Sequence, residues 1–219
     1  MGSFFGYVNQ GTYTVAEEGL ASKYLKKPGD IKNQDTNNDG KINDNDRVII
    51  GKGIPDSFGS FINTFSVKNF ELMVDLQFMS GNDVLWRSKH SAEDRVGIAN
   101  SFKTVLNGWT PANQTSTLAE LRPVSAGYNT FNDTDKIIDG SFIRGRNAVL
   151  SYKFSPDVVR KMKLSKLRAF VSVQNFFLAT KYPGYDPEVA NSGAAFDQGF
   201  DLYAYPKART FMIGLNIGL

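Results

Sequence analysis

The stretch Phe70-Glu71-Leu72-Met73-Val74-Asp75-Leu76-Gln77-Phe78-Met79 alternates strictly. Phe70, Leu72, Val74, Leu76 and Phe78 are all apolar, and Glu71, Met73, Asp75, Gln77 and Met79 fall between them. A period of two sends the two sets to opposite faces of an extended chain, so this is a strand with one greasy face and one mixed face. The pattern recurs. Leu167, Ala169, Val171 and Val173 alternate with Arg168, Phe170, Ser172 and Gln174. Phe211, Ile213, Leu215, Ile217 and Leu219 alternate with Thr210, Met212, Gly214, Asn216 and Gly218. Ala148, Leu150, Tyr152 and Phe154 alternate with Asn147, Val149, Ser151 and Lys153, and 57–67 sets Phe61, Phe65 and Val67 on one side. These runs exceed the usual soluble strand of about 5 to 6 residues. They suit a membrane-crossing strand, which needs about 9 to 11.

The connections alternate in length. Strands 57–67 and 70–84 meet at the tight turn Lys68-Asn69, the polar segment 85–140 follows, 155–163 is a short link, and 181–207 is again long. Short turns on one side and long loops on the other are the rhythm of an outer-membrane barrel. The expected fold is therefore all-β: antiparallel strands forming the C-terminal part of a large transmembrane β-barrel with long outer loops. The competing reading is a soluble all-β carbohydrate-binding module whose strands are half-buried in their own core.

Composition narrows the function classes. A formal charge of +3 without a basic stripe gives no electrostatic footprint for nucleic acid. The chain has no cysteine, which removes disulfides, thiolate metal sites and Cys nucleophiles. It has no apolar run long enough for a transmembrane helix, and barrel strands need none. The start, Met1-Gly2-Ser3-Phe4-Phe5-Gly6, is not a signal peptide. His90 is the single histidine, so two-histidine metal sites are impossible, and no nucleophile-elbow pattern occurs. No enzyme activity is expected.

Residues 35–46 read Asp35-Thr36-Asn37-Asn38-Asp39-Gly40-Lys41-Ile42-Asn43-Asp44-Asn45-Asp46. This matches the twelve-residue calcium loop, with oxygen side chains at its first, third and fifth positions, Gly at the sixth and an acid at the twelfth. Hard oxygen ligands on alternate residues converge on one ion. The expected Ca2+ ligands are Asp35, Asn37, Asp39, the carbonyl of Lys41, and Asp46, an Asp where Glu is usual. Lys27-Pro28-Gly29-Asp30 upstream breaks helices and Val48-Ile49-Ile50-Gly51 downstream is β-like, so the loop reads as a structural staple and not as a sensor.

The segment Pro28-Gly29-Asp30-Ile31-Lys32, the loop Asp35 to Asp46 and Arg47-Val48-Ile49-Ile50-Gly51 together resemble a hallmark of the SusC/RagA family of TonB-dependent importers. Further likenesses follow in order: Ser3 to Tyr7; Phe78 with Ser80 to Asp83; Gly108-Trp109-Thr110-Pro111; Asp139 to Arg144 with Asn147; Leu167-Arg168 to Gln174-Asn175; Tyr182 with Gly184 to Glu188; and Tyr205-Pro206 to Asn216. The resemblance implies a barrel of about 22 strands with a plugged lumen. It implies a place in the outer membrane of a Bacteroidetes-like, Gram-negative cell, in contact with outer-membrane lipid. It implies a TonB complex reached through an N-terminal part, a SusD-like surface lipoprotein as lid, and an oligosaccharide or peptide substrate. This chain would hold only the closing strands, as part of a longer protein, half of a split barrel or a truncated product, with plug and upstream strands outside it. Leu219 stands where the family's assembly signal usually ends in an aromatic.

The long loops are rich in aromatics, including Trp86, Phe102, Trp109, Tyr128, Phe131, Tyr182, Tyr185, Phe196 and Tyr205. Aromatic faces suit the C–H faces of sugar rings, and Trp86, Trp109, Tyr182 and Tyr185 are the candidate ligand contacts. Arg144, Arg146, Arg168 and Gln174 are expected on the lumen face.

Overall fold

The computed structural model describes residues 2–93, 100–122, 132–189 and 198–219. Its strands, in order, are β1 (Ser3–Gly6), β2 (Asn9–Thr12), β3 (Ile31–Asn33), β4 (Val48–Lys52), β5 (Ser57–Val67) and β6 (Phe70–Ser80). They continue with β7 (Asp83–Trp86), β8 (Ile137–Asp139), β9 (Phe142–Lys153), β10 (Lys166–Thr180), β11 (Phe200–Asp201) and β12 (Thr210–Gly218). Short helices α1 (Glu18–Lys23), α2 (Arg87–Glu93) and α3 (Pro156–Lys161) complete the set. The chain divides into two compact units.

The second unit, 55–81 with 140–187 and 205–219, is one antiparallel sheet in the order β5-β6-β9-β10-β12. Every strand pairs with its neighbour in sequence within that unit, the up-and-down topology of a barrel wall. Register puts the greasy sets in line. Phe61 lies opposite Leu76 and Phe65 opposite Leu72. Leu72 then lies opposite Leu150, Leu150 opposite Val171, and Val171 opposite Ile213. Much of this face is exposed, most of all on β5 and β12, where Phe211 is 74% and Ile213 87% accessible; Val74, Leu76 and Val173 are half-buried and Leu167 is buried. Soluble proteins rarely leave so wide an apolar surface open, whereas a lipid-facing wall requires it. Among the described residues, β5 and β12 each pair on one side only.

Glycines on this sheet sit under aromatic rings. Gly59 is paired directly with Phe78, Gly145 with Phe177 and Gly214 with Phe170. A Cβ on Gly145 would stand 2.5 Å from Phe176 and 2.6 Å from Phe177, and one on Gly214 would run into the Phe170 ring. The large ring fills what its glycine partner leaves empty, a cross-strand pairing that fixes register.

Three features depart from the alternation. The strand expected over 70–84 ends at Ser80, because Gly81 takes φ +82 against the Asp56 side chain; the chain resumes as β7 in the other unit. The link 155–163 is helical, with Pro156 in the first turn of α3, where its missing N–H is no loss. β9 bulges between Asn147 and Gly145, and β10 bulges at the same level, with Asn175 at φ 52.

The first unit, 1–54 with 82–139 and 188–204, is built of short pieces. β1 pairs with β4, β2 with β3, and β7 stands between β8 and β11. The segment read as one polar loop from 85 to 140 contributes the last residues of β7, α2 and β8. Its buried apolar residues include Tyr13, Ala21, Ile31, Val84, Leu85, Trp109, Ala119 and Val189. Buried ion pairs tie it together: Lys136 to Asp133 at 2.8 Å and Arg122 to Asp30.

Candidate functional site

The 35–46 loop runs between β3 and β4, so its flanks are strands and not helices. Asp35 accepts from the N–H of Gly40 at 2.9 Å and of Asp39 at 3.2 Å, and from the Tyr24 hydroxyl at 3.1 Å. Asn37 Oδ1 accepts from Asp39 N, and Asp39 Oδ1 accepts from Lys41 N at 2.8 Å. Asp46, fully buried, closes the loop by accepting from Thr36 N and Asn43 N, each at 2.8 Å. Gly40 at φ +79 makes the sharp turn that the pattern requires. The Asn37 amide, then the Lys41 N–H, hold the Asp39 carboxyl below its ordinary value. The oxygen donors are of the kind calcium takes, and a carboxylate oxygen accepting one N–H keeps acceptor capacity. Among the described residues, no three His, Cys, Asp or Glu side chains gather into a metal-holding group. The structure thus brings Asp35, Asn37, Asp39, Lys41 and Asp46 into one turn without drawing the carboxylates to a point.

The four candidate aromatics fall in different surroundings. Trp86 ends β7 half-buried, its ring 5.5 Å from that of Phe102. Trp109 is buried against Gly29, where a Cβ would come within 2.7 Å of the indole. Tyr182 is buried over Gly184, and Tyr185 stands 74% exposed. Both tryptophans belong to the first unit and both tyrosines to the second. Tyr128, Phe131 and Phe196 lie outside the described residues.

The Pro28-Gly29-Asp30 stretch and Trp109 are one packing unit. Gly29 takes φ +85 beneath the indole, and its carbonyl accepts from Glu120 N at 2.9 Å. Arg122 pairs with Asp30 and Glu120 and donates to the Pro28 carbonyl at 2.7 Å. Sequence reasoning missed Arg122, since nothing in the pattern signals a partner 92 positions away.

On the mixed face of the sheet, Arg144 meets Asp186 at 2.6 Å and lies over the Phe142 ring. Glu71 bridges Lys153 at 2.7 Å and Arg168 at 3.0 Å, and Arg168 also donates to Ser151 Oγ. The β9 bulge turns Arg146 to the same face, 3.9 Å from Asp75. One face of the sheet is therefore apolar and the other carries paired charges, which is the division expected between lipid and a watery lumen.

No protein-family profile matches the chain. Curated relatives do. A TonB-dependent receptor of Formosa agariphila is 32% identical over 225 residues, 99% of this chain and 22% of the relative. A second from the same organism is 32% identical over 90% of this chain and 19% of its own length. The TonB-dependent receptor SusC of Bacteroides thetaiotaomicron is 26% identical over 84% of this chain and 17% of its own. The solved RagAB peptide transporter superposes on 99% of this chain and 22% of that one, at TM-score 0.76 and 20% identity. The chain is a SusC/RagA-like segment of a TonB-dependent receptor. It spans about a fifth of the length of the receptors it matches. Within this SusC/RagA-like segment, the five-stranded sheet takes the place of barrel wall.

Proposed function

We propose that this chain supplies part of the wall and the outer loops of a TonB-dependent importer in the outer membrane. The observation that carries the reading is the largely exposed apolar face that runs across β5, β6, β9, β10 and β12, backed by a charged and amide-rich face. The relatives support it, since they are named as receptors and one solved neighbour as a peptide transporter. Import belongs to the complete barrel. Oligosaccharides or peptides are the cargo, a SusD-like surface lipoprotein is the lid, and the TonB complex acts through a part outside this chain. The 35–46 loop binds one Ca2+ through Asp35, Asn37, Asp39, the Lys41 carbonyl and Asp46. The ion would supply positive charge at the centre of that turn. Trp86 and Tyr185 are the candidate aromatics with accessible rings and are the proposed cargo contacts.

The test is folding into phospholipid vesicles. Ile213→Arg, in the middle of the lipid face, is expected to weaken insertion by about 2 to 4 kcal/mol. Asn216→Arg, on the opposite face, is expected to leave it unchanged. A chain that folds cooperatively as a monomer in plain buffer, or equal effects of the two substitutions, would overturn the proposal.

A further inference from the structure

The short-turn end of the sheet carries a surplus of positive charge. Lys68 sits in the turn between β5 and β6, and the segment from Ser151 to Arg168 adds Lys153, Arg160, Lys161, Lys163, Lys166 and Arg168. Backbone hydrogen bonds hold the two turns side by side. Lys153 N donates to the Asn69 carbonyl at 2.8 Å, and Phe154 N donates to the Leu167 carbonyl at 3.1 Å. The carboxylate side chains of the same stretches are Glu71 and Asp157. Glu71 is taken by Lys153 and Arg168, and Asp157 lies 3.8 Å from Arg160. Among the described residues, Lys68, Lys161, Lys163 and Lys166 have no ion-pair partner, and all four are exposed.

Apolar groups lie among these charges. Val158 on α3 and Met162 at its end are four residues apart, so they share one side of the helix. They are 40% and 55% exposed, while Val159 between them is buried. On the sheet itself, the rings of Phe70, Tyr152 and Phe154 follow one another at 4.9 and 5.1 Å. They close the apolar face with an aromatic band, as at the edge of a membrane wall.

We infer that the β5–β6 turn and the α3 link form a docking surface for anionic phospholipid headgroups. A soluble polyanion would use the lysines and leave Val158 and Met162 in water. A headgroup layer takes both, because its charged plane overlies acyl chains. The aromatic band sets the surface at the level where hydrocarbon gives way to headgroups. Lysine suits that level, since its stem lies along apolar surface while its ammonium reaches a phosphate. The inference rests on the sheet being a membrane wall and names the lipid class that its turn side selects.

The chain has no cysteine, so Met162→Cys gives a single attachment point for an uncharged fluorophore. The full chain is folded into vesicles of equal parts phosphatidylcholine and phosphatidylglycerol. A trace of one or the other lipid carries a spin label on its headgroup. Quenching by the anionic label is expected to exceed quenching by the neutral one about fivefold, the worth of one cation near an anionic surface. Salt at about 1 M should abolish the excess, since the screening length is then about 3 Å. Lys161→Gln with Lys163→Gln and Lys166→Gln should abolish it as well. Lys27→Gln with Lys52→Gln and Lys103→Gln removes the same charge from exposed positions of the first unit and should preserve it. Equal quenching by the two labels, quenching by neither, or an excess that survives the first triple change overturns the headgroup surface and leaves the membrane wall in place. A chain that does not enter the vesicles overturns both.

Discussion

Arg144 and Asp186 form an ion pair of 2.6 Å with side chains only 3% and 4% exposed, joining the start of β9 to the segment that follows β10. Both ends lie within the same sheet unit. Taking a charge out of water is costly and each partner offsets that cost for the other, so removing one is destabilising. Arg144→Met alone or Asp186→Leu alone is expected to destabilise the unit by about 3 to 5 kcal/mol. The double change Arg144→Met with Asp186→Leu should recover most of that loss. Urea denaturation in micelles of the two single variants and the double variant checks it; an additive double mutant would refute the coupling.

Gly214 and Phe170 make a second coupled pair, in this case by shape. A Cβ at Gly214 meets the ring that lies across it. Gly214→Ala is expected to cost about 1 to 3 kcal/mol, as overpacking does. In a Phe170→Ala background the same change should be nearly neutral, because the ring is gone. A thermal double-mutant cycle measures the difference.

How much of this was readable beforehand follows from distance along the chain. The apolar face of β6, β10 and β12 was legible because period two is a local signal and each apolar residue repeats it. The break at Gly81 was not, because the Asp56 side chain that leaves no room for a Cβ there is 25 positions upstream and no pattern links them. The bulge at Arg146 was hidden for a related reason: an extra residue shifts the phase of the strand, yet Arg144 and Arg146 already looked like one face. In the first unit the strands are two to five residues long, too short to show a period. β11 lies parallel to β7 across more than a hundred residues, which no local pattern can announce. The loop 35–46 was legible as a turn, since Gly40 and the alternating oxygens carry it, whereas the pairing of Asp30 with Arg122 was not.

A pH dependence follows from Glu17. Its carboxylate accepts from Lys32 Nζ at 2.6 Å and from Thr14 N at 3.0 Å, closing a capping box at the turn before α1. The Lys32 hydrogen bond, then the Thr14 N–H, lower its pKa from 4.5 to about 2. A group whose folded pKa lies below its unfolded one adds stability that is complete above the unfolded value and vanishes as pH falls through the folded one. The Glu17 contribution should therefore fade between about pH 4.5 and 2. Comparing melting temperatures of the parent chain and Glu17→Gln across that range checks it: the gap should close on acidification. A constant gap would mean that the carboxylate's charge does not matter.

The 35–46 loop gives the last expectation. Its carboxylates already bind backbone N–H groups, so the turn is preformed, and a cation has only to draw Asp35, Asp39 and Asp46 together. Preorganisation lowers the ordering cost of binding. A calorimetric titration with calcium chloride should show one site in the parent chain and none in Asp39→Ala, which removes a side-chain oxygen without touching the buried Asp46. Binding should also raise the melting temperature, because an ion held only by the folded state stabilises it by mass action. Magnesium at equal concentration should do less, since it demands a tighter octahedron and sheds water reluctantly. Heats that are absent from both chains would retire the calcium site and leave Asp35 to Asp46 as a hydrogen-bonded turn.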